Sequence, residues 1–568
     1  MSDLAIAVRD FSFSYENSDS WQLSNIRLEL ARGERVAIMG ATGAGKSTLA
    51  MSLNGLVPHH HEGQVAGEVV VDGLRTADHS AVDIVRRVGL VMQDPETQIT
   101  GQTALADAAV GPANFGLPRE TVLERASHAL GLVGMGELPD RDTNRMSGGQ
   151  KQRLVVAGVI AMDSDILVLD EPTSELDPQG TSEVFDIVRS LSNDGTKTIV
   201  LIEHEPELIA EWAHRLVVLD GGRVVFDGAP SLFFGDADAV AAAGLRAPQV
   251  AEAAVALAAA GRLSGEIPVT LEHGIHVLER WPGTDVAPVG AREEAGAPVI
   301  EARGLGHVYP GGVVALDGVD VTVREGEFVA VLGRNGAGKT TFARHLNGLL
   351  RPTSGELVVA GKPTEGRPVS DLARSVGYVF QNPDHQIFAN SVRDEVAYGL
   401  KNLGLDAERI AYEVDDVLER VGMRDLADRH PFNLGKGQRQ RLAVASVLAL
   451  SPQVLVIDEP TTGQDWLGAR AMMSLVRDLN TDGHTILMIT HDMALVAEYA
   501  RRALVFAGGR LVGDTDPSTL FGDPELLARG TLIAPQITSL AAALGCPRTV
   551  TTVDGFRREW ALEVPDAV

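Results

Sequence analysis

Residues 36–48 read VAIMGATGAGKST and residues 329–341 read VAVLGRNGAGKTT. In each stretch a short apolar run breaks into a glycine loop that closes on Lys-Ser or Lys-Thr. An unbroken apolar run of this length suits a strand of a parallel sheet covered on both faces. Glycines let the loop curl until successive N–H groups point at one anion, and the helix that follows adds its positive end. The residues expected to cradle phosphate are Gly40, Ala41, Thr42, Gly43, Ala44, Gly45, Lys46, Ser47 and Thr48. In the second stretch they are Gly333, Arg334, Asn335, Gly336, Ala337, Gly338, Lys339, Thr340 and Thr341. Lysine reaches the outer phosphates of a nucleotide, and the Ser47 or Thr340 hydroxyl is placed for Mg²⁺.

The two stretches belong to a longer duplication. Lys46 and Lys339 lie 293 positions apart, Gln93 and Gln381 lie 288, Glu171 and Glu459 lie 288, and Pro248 and Pro535 lie 287. A spacing this constant over some two hundred residues marks a tandem repeat of a whole domain. The step from 293 to 288 puts five extra residues in the first copy, among them His59-His60-His61. A histidine triplet suits a metal or an exposed insertion, and without accompanying acids or cysteines the insertion is the expected reading. Both copies close on a related segment, APQVAEAAVALA from Ala247 and APQITSLAAALG from Ala534. The Gly-, Pro- and Ala-rich stretch 281–298 reads as a linker. The expected order is therefore a first domain at 1–235 with a small C-terminal subdomain at 236–280, then the linker. A second domain at 299–523 and its subdomain at 524–568 complete it.

Bulk composition narrows the partners. A formal net charge of −28 over 568 residues argues against a nucleic-acid partner, which needs a basic face. A lone cysteine, Cys546, excludes an intrachain disulfide framework and fits a reducing cytosol. The opening residues show no basic region followed by an apolar stretch, so no signal peptide is expected, and no apolar run reaches the length of a membrane span. The Ala-rich stretch 250–260 reads as a buried helix.

Chemistry enters with two further pairs. The apolar runs 166–169 and 454–457 end in Asp170-Glu171 and Asp458-Glu459. The aspartates are placed to bind the same Mg²⁺, and the glutamates to orient or deprotonate an attacking water. With these residues in view, nearly the whole chain resembles the ATP-binding-cassette (ABC) ATPases. The resemblance implies an α/β fold: two tandem P-loop NTPase domains, each with a mostly parallel sheet core, an antiparallel β subdomain, a helical signature subdomain and a small C-terminal subdomain. It implies ATP and Mg²⁺ as ligands.

The same resemblance assigns further residues. Ser147, Gly148, Gly149 and Gln150 match the family's signature motif, and Gly435, Lys436, Gly437 and Gln438 are its looser second copy, lacking the serine. Gln93 and Gln381 match the Q-loop glutamine, which senses Mg²⁺ and faces a transmembrane partner. His204 and His491 match the switch histidine that contacts the γ-phosphate. Asp177, in Ser174-Glu-Leu-Asp177, and Asp465 match the D-loop aspartate. Tyr15 and Tyr309 stand where the family stacks an aromatic on adenine, though ordinary packing would account for them equally. The family pairs two cassettes head-to-tail, so each ATP would lie between one half's P-loop and the other half's signature. Both halves keep the lysine, glutamate and histidine, so both are expected to hydrolyse ATP, with rates free to differ.

The Q-loop sequences point further. Gln381-Asn-Pro-Asp-His-Gln-Ile-Phe388 and Val392-Arg-Asp-Glu-Val-Ala-Tyr-Gly399 resemble the ATPases of energy-coupling factor (ECF) transporters, and Gln93-Asp-Pro-Glu-Thr-Gln-Ile99 is a looser copy. That likeness implies import of a vitamin or metal ion, energised from the cytoplasmic face of the cell membrane. The partners would be a transmembrane coupling protein and a substrate-binding membrane protein on other chains. A sugar-importer ATPase remains open, as does a tandem cassette acting on ribosomes or DNA. The first would be expected to carry one degenerate P-loop, and the second a long charged linker or zinc-site cysteines.

Overall fold

The computed structural model describes residues 4–16, 18, 20–173, 176–192, 195–283 and 296–562. It divides into two units, Met1–Leu278 and Glu279–Val568.

In the first unit a six-stranded sheet runs in the order Arg223–Gly228, Arg215–Asp220, Arg35–Met39, Thr198–Ile202, Ile166–Asp170, Val88–Val91. The first pair is an antiparallel hairpin and every other neighbour is parallel. Strands Ile166–Asp170 and Thr198–Ile202 are buried at all positions, as expected where both faces are covered. Parallel neighbours end on one edge, so the glycine loop after Met39, the pair Asp170-Glu171 and the segment after Ile202 emerge side by side. Ligands of open α/β sheets bind outside such an edge.

A second, antiparallel sheet carries Leu23–Ala31, Leu4–Tyr15, Gly63–Val71 and Leu74–Arg75 in that order. Its inner residues Phe11, Phe13 and Leu23 share one core with Leu49 and Leu53 of the helix Lys46–Asn54 and with Ile38, Val168 and Val217 of the main sheet. Leu167, Leu169 and Leu201 face the other way. They pack on Leu130 of the helix Arg119–Leu132 and on Leu154 and Val156 of the helix Gly148–Met162. The alternation of large apolar side chains along these strands feeds both layers at once.

The second unit repeats the plan. Its six-stranded sheet runs Val376–Val379, Val454–Asp458, Thr485–Ile489, Phe328–Leu332, Arg502–Ala507, Arg510–Thr515, and its antiparallel sheet Val313–Arg324, Pro298–Tyr309, Ser354–Val359, Lys362–Pro363.

The segments expected as small subdomains at 236–280 and 524–568 are built into their own units. Val240, Leu245, Ala251 and Val269 share a core with Ala37, Met39, Leu216 and Val218 of the first sheet. Leu526 and Leu532 do the same with Ala503 and Val505 of the second. Helices as short as Ala237–Ala242 and Pro524–Gly530 cannot bury an apolar face alone, so they use the sheet. The Ala-rich stretch does form a helix, Gln249–Ala259, with Val250, Ala251, Ala253, Ala254 and Leu257 buried.

The start of the expected linker is fastened to the second unit. Arg280 Nη1 donates to Ala543 O at 2.5 Å, Trp281 N donates to Leu544 O at 3.0 Å, and Trp560 Nε1 donates to Glu279 O at 3.3 Å. Its residues 284–295 lie outside the described ones, and its last, Pro298, already opens the strand Pro298–Tyr309. Among the described residues no helix is long and apolar enough to cross a membrane.

Candidate functional site

Each glycine loop closes on a helix whose N-cap is a left-handed glycine, Gly45 at φ 100° and Gly338 at φ 106°. Gly43 and Gly336 also have positive φ, 82° in each case, and a Cβ built on either would meet nothing within 4 Å. The space above them is open, as it must be where loop amides are to take an anion. The lysines lie across their own loops: Lys46 Nζ donates to Gly40 O at 2.8 Å and Ala41 O at 3.2 Å. Lys339 Nζ donates to Gly333 O at 2.6 Å and Arg334 O at 3.1 Å. A phosphate in the cradle would compete for these ammonium groups. The tyrosines flank the same helices, Tyr15 Oη 3.0 Å from Thr48 Oγ1 and Tyr309 Oη 3.2 Å from Thr341 Oγ1.

Glu171 and Glu459 follow their strands in left-handed backbone conformation, φ 48° and 49°. Such a conformation in a residue other than glycine costs free energy and collects at functional sites. Their amides still extend the sheet, donating to Ile202 O and Ile489 O at 2.9 Å. In the first unit both carboxylate oxygens of Glu171 are held. Gln93 Nε2 donates to Oε2 at 2.6 Å, and His204 Nε2 lies 2.7 Å from Oε1. Burial pulls the His204 imidazole down, but the hydrogen bond and charge of Glu171 outweigh it and raise its pKa. In the second unit His491 Nδ1 lies 2.9 Å from Glu459 Oε2. Gln381 is exposed and makes no hydrogen bond among the described residues.

The aspartates behind the glutamates fit a divalent cation. Asp170 Oδ1 is buried without a hydrogen-bond partner. Burial pushes the Asp170 carboxyl up to about 6, with the Ser47 hydroxyl pulling the other way. Asp458 is likewise pushed up to about 6 by burial. Its Oδ2 accepts from Tyr378 Oη at 2.8 Å and from Thr340 Oγ1 at 3.4 Å. A buried carboxylate beside a hydroxyl is the donor set Mg²⁺ takes when phosphate oxygens and water complete its shell. The histidine triplet makes no such set. His59 Nε2 bonds Thr76 O at 2.7 Å, and the His61 ring stands edge-on to Tyr15 at 6.2 Å. Among the described residues no three or more His, Cys, Asp or Glu side chains converge on one metal-sized point.

The signature residues open helices. Ser147 Oγ accepts from Gln150 N at 3.3 Å, and Gln150 Oε1 accepts from Ser147 N at 3.1 Å, a reciprocal cap on Gly148–Met162. In the second copy only the Gly435 N to Gln438 Oε1 bond, 3.1 Å, remains, because glycine has no side chain. Lys436 rests over Gly463, where a Cβ would overlap its Nζ. Asp177 and Asp465 accept from Gly180 N and Gly468 N and cap the next helices. Ser174 lies outside the described residues.

Sequence reading missed the residues that tie these loops together. Gln98 Oε1 accepts from Met92 N at 2.7 Å, and Gln386 Oε1 accepts from Phe380 N at 3.3 Å. Asp107 Oδ1 accepts from Thr100 N and Gly101 N, both at 2.8 Å. Glu395 Oε2 does the same for Phe388 N and Ala389 N, at 3.0 and 2.8 Å. The loop also pairs with the signature helix, Glu96 with Lys151 and Asp384 with Arg439. Glu203 was missed too. It is buried, and burial pushes its carboxyl up to about 7. For the loop residues the available signal was recurrence, glutamine at 98 and 386 and acid at 107 and 395; Glu203 has no such counterpart.

Comparison with known proteins gives one family. The model described as "ABC transporter" matches residues 23–174 and 316–462. A protein of Caldanaerobacter subterraneus subsp. tengcongensis, provisionally named an ABC transporter ATP-binding protein, is 40% identical over 96% of this chain and 97% of its own length. One from Methanosarcina acetivorans with the same provisional name is 40% identical over 97% of this chain and 92% of its own. Among solved structures, CbiO1 from Clostridium perfringens, part of the ABC transporter complex CbiONQ, is 34% identical with a TM-score of 0.39. The alignment covers 44% of this chain and all of that one.

Proposed function

Because the chain belongs to the ABC transporter family, whose ATP-binding members hydrolyse ATP, we propose that it energises an ECF-type importer of a vitamin or metal ion from the cytoplasmic face of the cell membrane. The observation that carries the hydrolytic part is the grip on Glu171, with Gln93 and His204 at 2.6 and 2.7 Å on its two oxygens, beside an open phosphate cradle.

In this reading the amides of 40–48 and 333–341 hold the phosphates, and Lys46 and Lys339 leave their loop carbonyls for the outer ones. Tyr15 and Tyr309 pack on adenine. Asp170 with Ser47, and Asp458 with Thr340, would hold Mg²⁺ together with Gln93 and Gln381. The ion neutralises phosphate charge when bound. Glu171 and Glu459 orient the attacking water and draw its proton, and His204 and His491 hold the glutamates and reach the γ-phosphate. Ser147 to Gln150 and Gly435 to Gln438 present helix N-termini suited to a nucleotide's phosphates.

The ECF assignment rests on the Q-loop sequence and on the surface beside it. Phe388 and Tyr398 are exposed, with ring centroids 4.6 Å apart, where the first half has Thr100 and Val110. Exposed aromatics next to a Q-loop suit helices of a transmembrane coupling protein, and a separate substrate-binding membrane protein would choose the cargo. The test is affinity purification of the full chain from detergent-solubilised membranes, with mass spectrometry of what accompanies it. The expected companions are two small multi-span membrane proteins. Recovery with ribosomes or DNA, and none with membrane protein, would defeat the transport reading.

A further inference from the structure

The segment carrying His204 differs between the halves in a way the repeat makes visible. The first half reads Ile202-Glu203-His204, and the second Ile489-Thr490-His491. Glu203 is 3% exposed, and both its oxygens are bound inside the protein. Oε2 accepts from Thr173 Oγ1 at 2.6 Å, and Oε1 accepts from the backbone N of His204 at 2.9 Å. Thr173 stands two residues after Glu171, and His204 lies 2.7 Å from the Glu171 carboxylate. The links therefore close a ring: Glu171, Pro172, Thr173, Glu203, His204 and back to Glu171.

In the second half the ring is open. Thr490 is equally buried, but its Oγ1 accepts from Asp492 N at 3.1 Å and serves only its own turn. Thr461, the counterpart of Thr173, is partly exposed, and its hydroxyl makes no hydrogen bond among the described residues. Burying a carboxyl group costs free energy that a threonine avoids, and the repeat shows the turn forms without it. A short, doubly used carboxyl at this place has a use beyond folding the turn.

We propose that Glu203 is a positioning residue of the first half's hydrolytic site, tying the segment that follows Glu171 to the segment that carries His204 so that the two move as one piece. The second half, with Thr490, lets them move separately. This inference rests on the reading of Glu171 and His204 as the hydrolytic pair.

The test uses the full chain and reads both steady-state ATP turnover and amide hydrogen exchange. Glu203→Thr copies the second half. It should lower kcat by roughly a third or more, leave KM for ATP within about twofold, and speed exchange in both 171–177 and 203–205. Glu203→Gln keeps an acceptor for His204 N and a partner for Thr173 Oγ1, and should stay near wild type in both readouts. Thr173→Val removes only the far end of the tie and should reproduce Glu203→Thr. The double variant should be no worse than either single one, because both cut the same link. Should Glu203→Thr fail to fold, Thr173→Val against Glu203→Gln carries the comparison. Wild-type kcat in Thr173→Val, a loss in Glu203→Gln as deep as in Glu203→Thr, or multiplying losses in the double variant would overturn the proposal. Exchange reads the tie without turnover, so a wild-type chain that failed to hydrolyse ATP would count against the hydrolytic reading and leave the tie separately decided.

Discussion

Asp170 and Asp458 sit at buried strand ends with pKa values pushed up to about 6, above the ordinary 3.8. A carboxyl raised on folding favours the protonated folded state. Its contribution is greatest below the unfolded pKa and is lost as pH rises through about 6. The nucleotide-free protein should therefore carry a cost at neutral pH that Asp170→Asn removes. We expect the variant to be more stable than wild type by about 1–3 kcal/mol at pH 8, with the gain shrinking toward pH 5. Urea unfolding without Mg²⁺ at both pH values measures it, and a constant or negative difference contradicts the assignment. The same aspartate was legible in the sequence, since Asp-Glu after an apolar run names it. The left-handed backbone of Glu171 was not, because φ depends on how strand and loop meet. Nor was Glu203, whose meaning appears only when Thr173 is brought beside it.

At the scale of elements, one side chain holds the far end of the second half's Q-loop. Glu395, buried in the helix Val392–Asn402, accepts from the amides of Phe388 and Ala389. Glu395→Ala would leave both donors without their partner, at a cost of about 1–3 kcal/mol each if they stay buried. The loop should loosen before the sheet does. Hydrogen exchange should rise over 381–391 while strands 328–332 and 454–458 stay protected, and unchanged exchange in the loop would refute this role. The strands and P-loop helices were readable because apolar runs ending in glycine or acid have few alternatives. The helical layer was harder. The helices Arg119–Leu132 and Ala407–Arg420 carry no motif and are placed by packing. The related C-terminal segments were visible as a repeat, but not that their apolar side chains join the core of the sheet.

Across the whole molecule, duplication gives two sites with one plan and different details. The first half grips its glutamate with Gln93, His204 and, through Thr173, Glu203. The second holds Asp458 with Tyr378 where the first has Leu90, and its signature carries Lys436 over Gly463. Both halves keep lysine, glutamate and histidine, so both are expected to hydrolyse ATP, at rates that can differ. Steady-state ATP turnover of the full chain bearing Glu171→Gln or Glu459→Gln, each alone, puts this most directly. Each single change should lower the rate to about half of wild type or less, and the double change by at least ~100-fold, as loss of a general base does. Wild-type turnover in either single variant would contradict it.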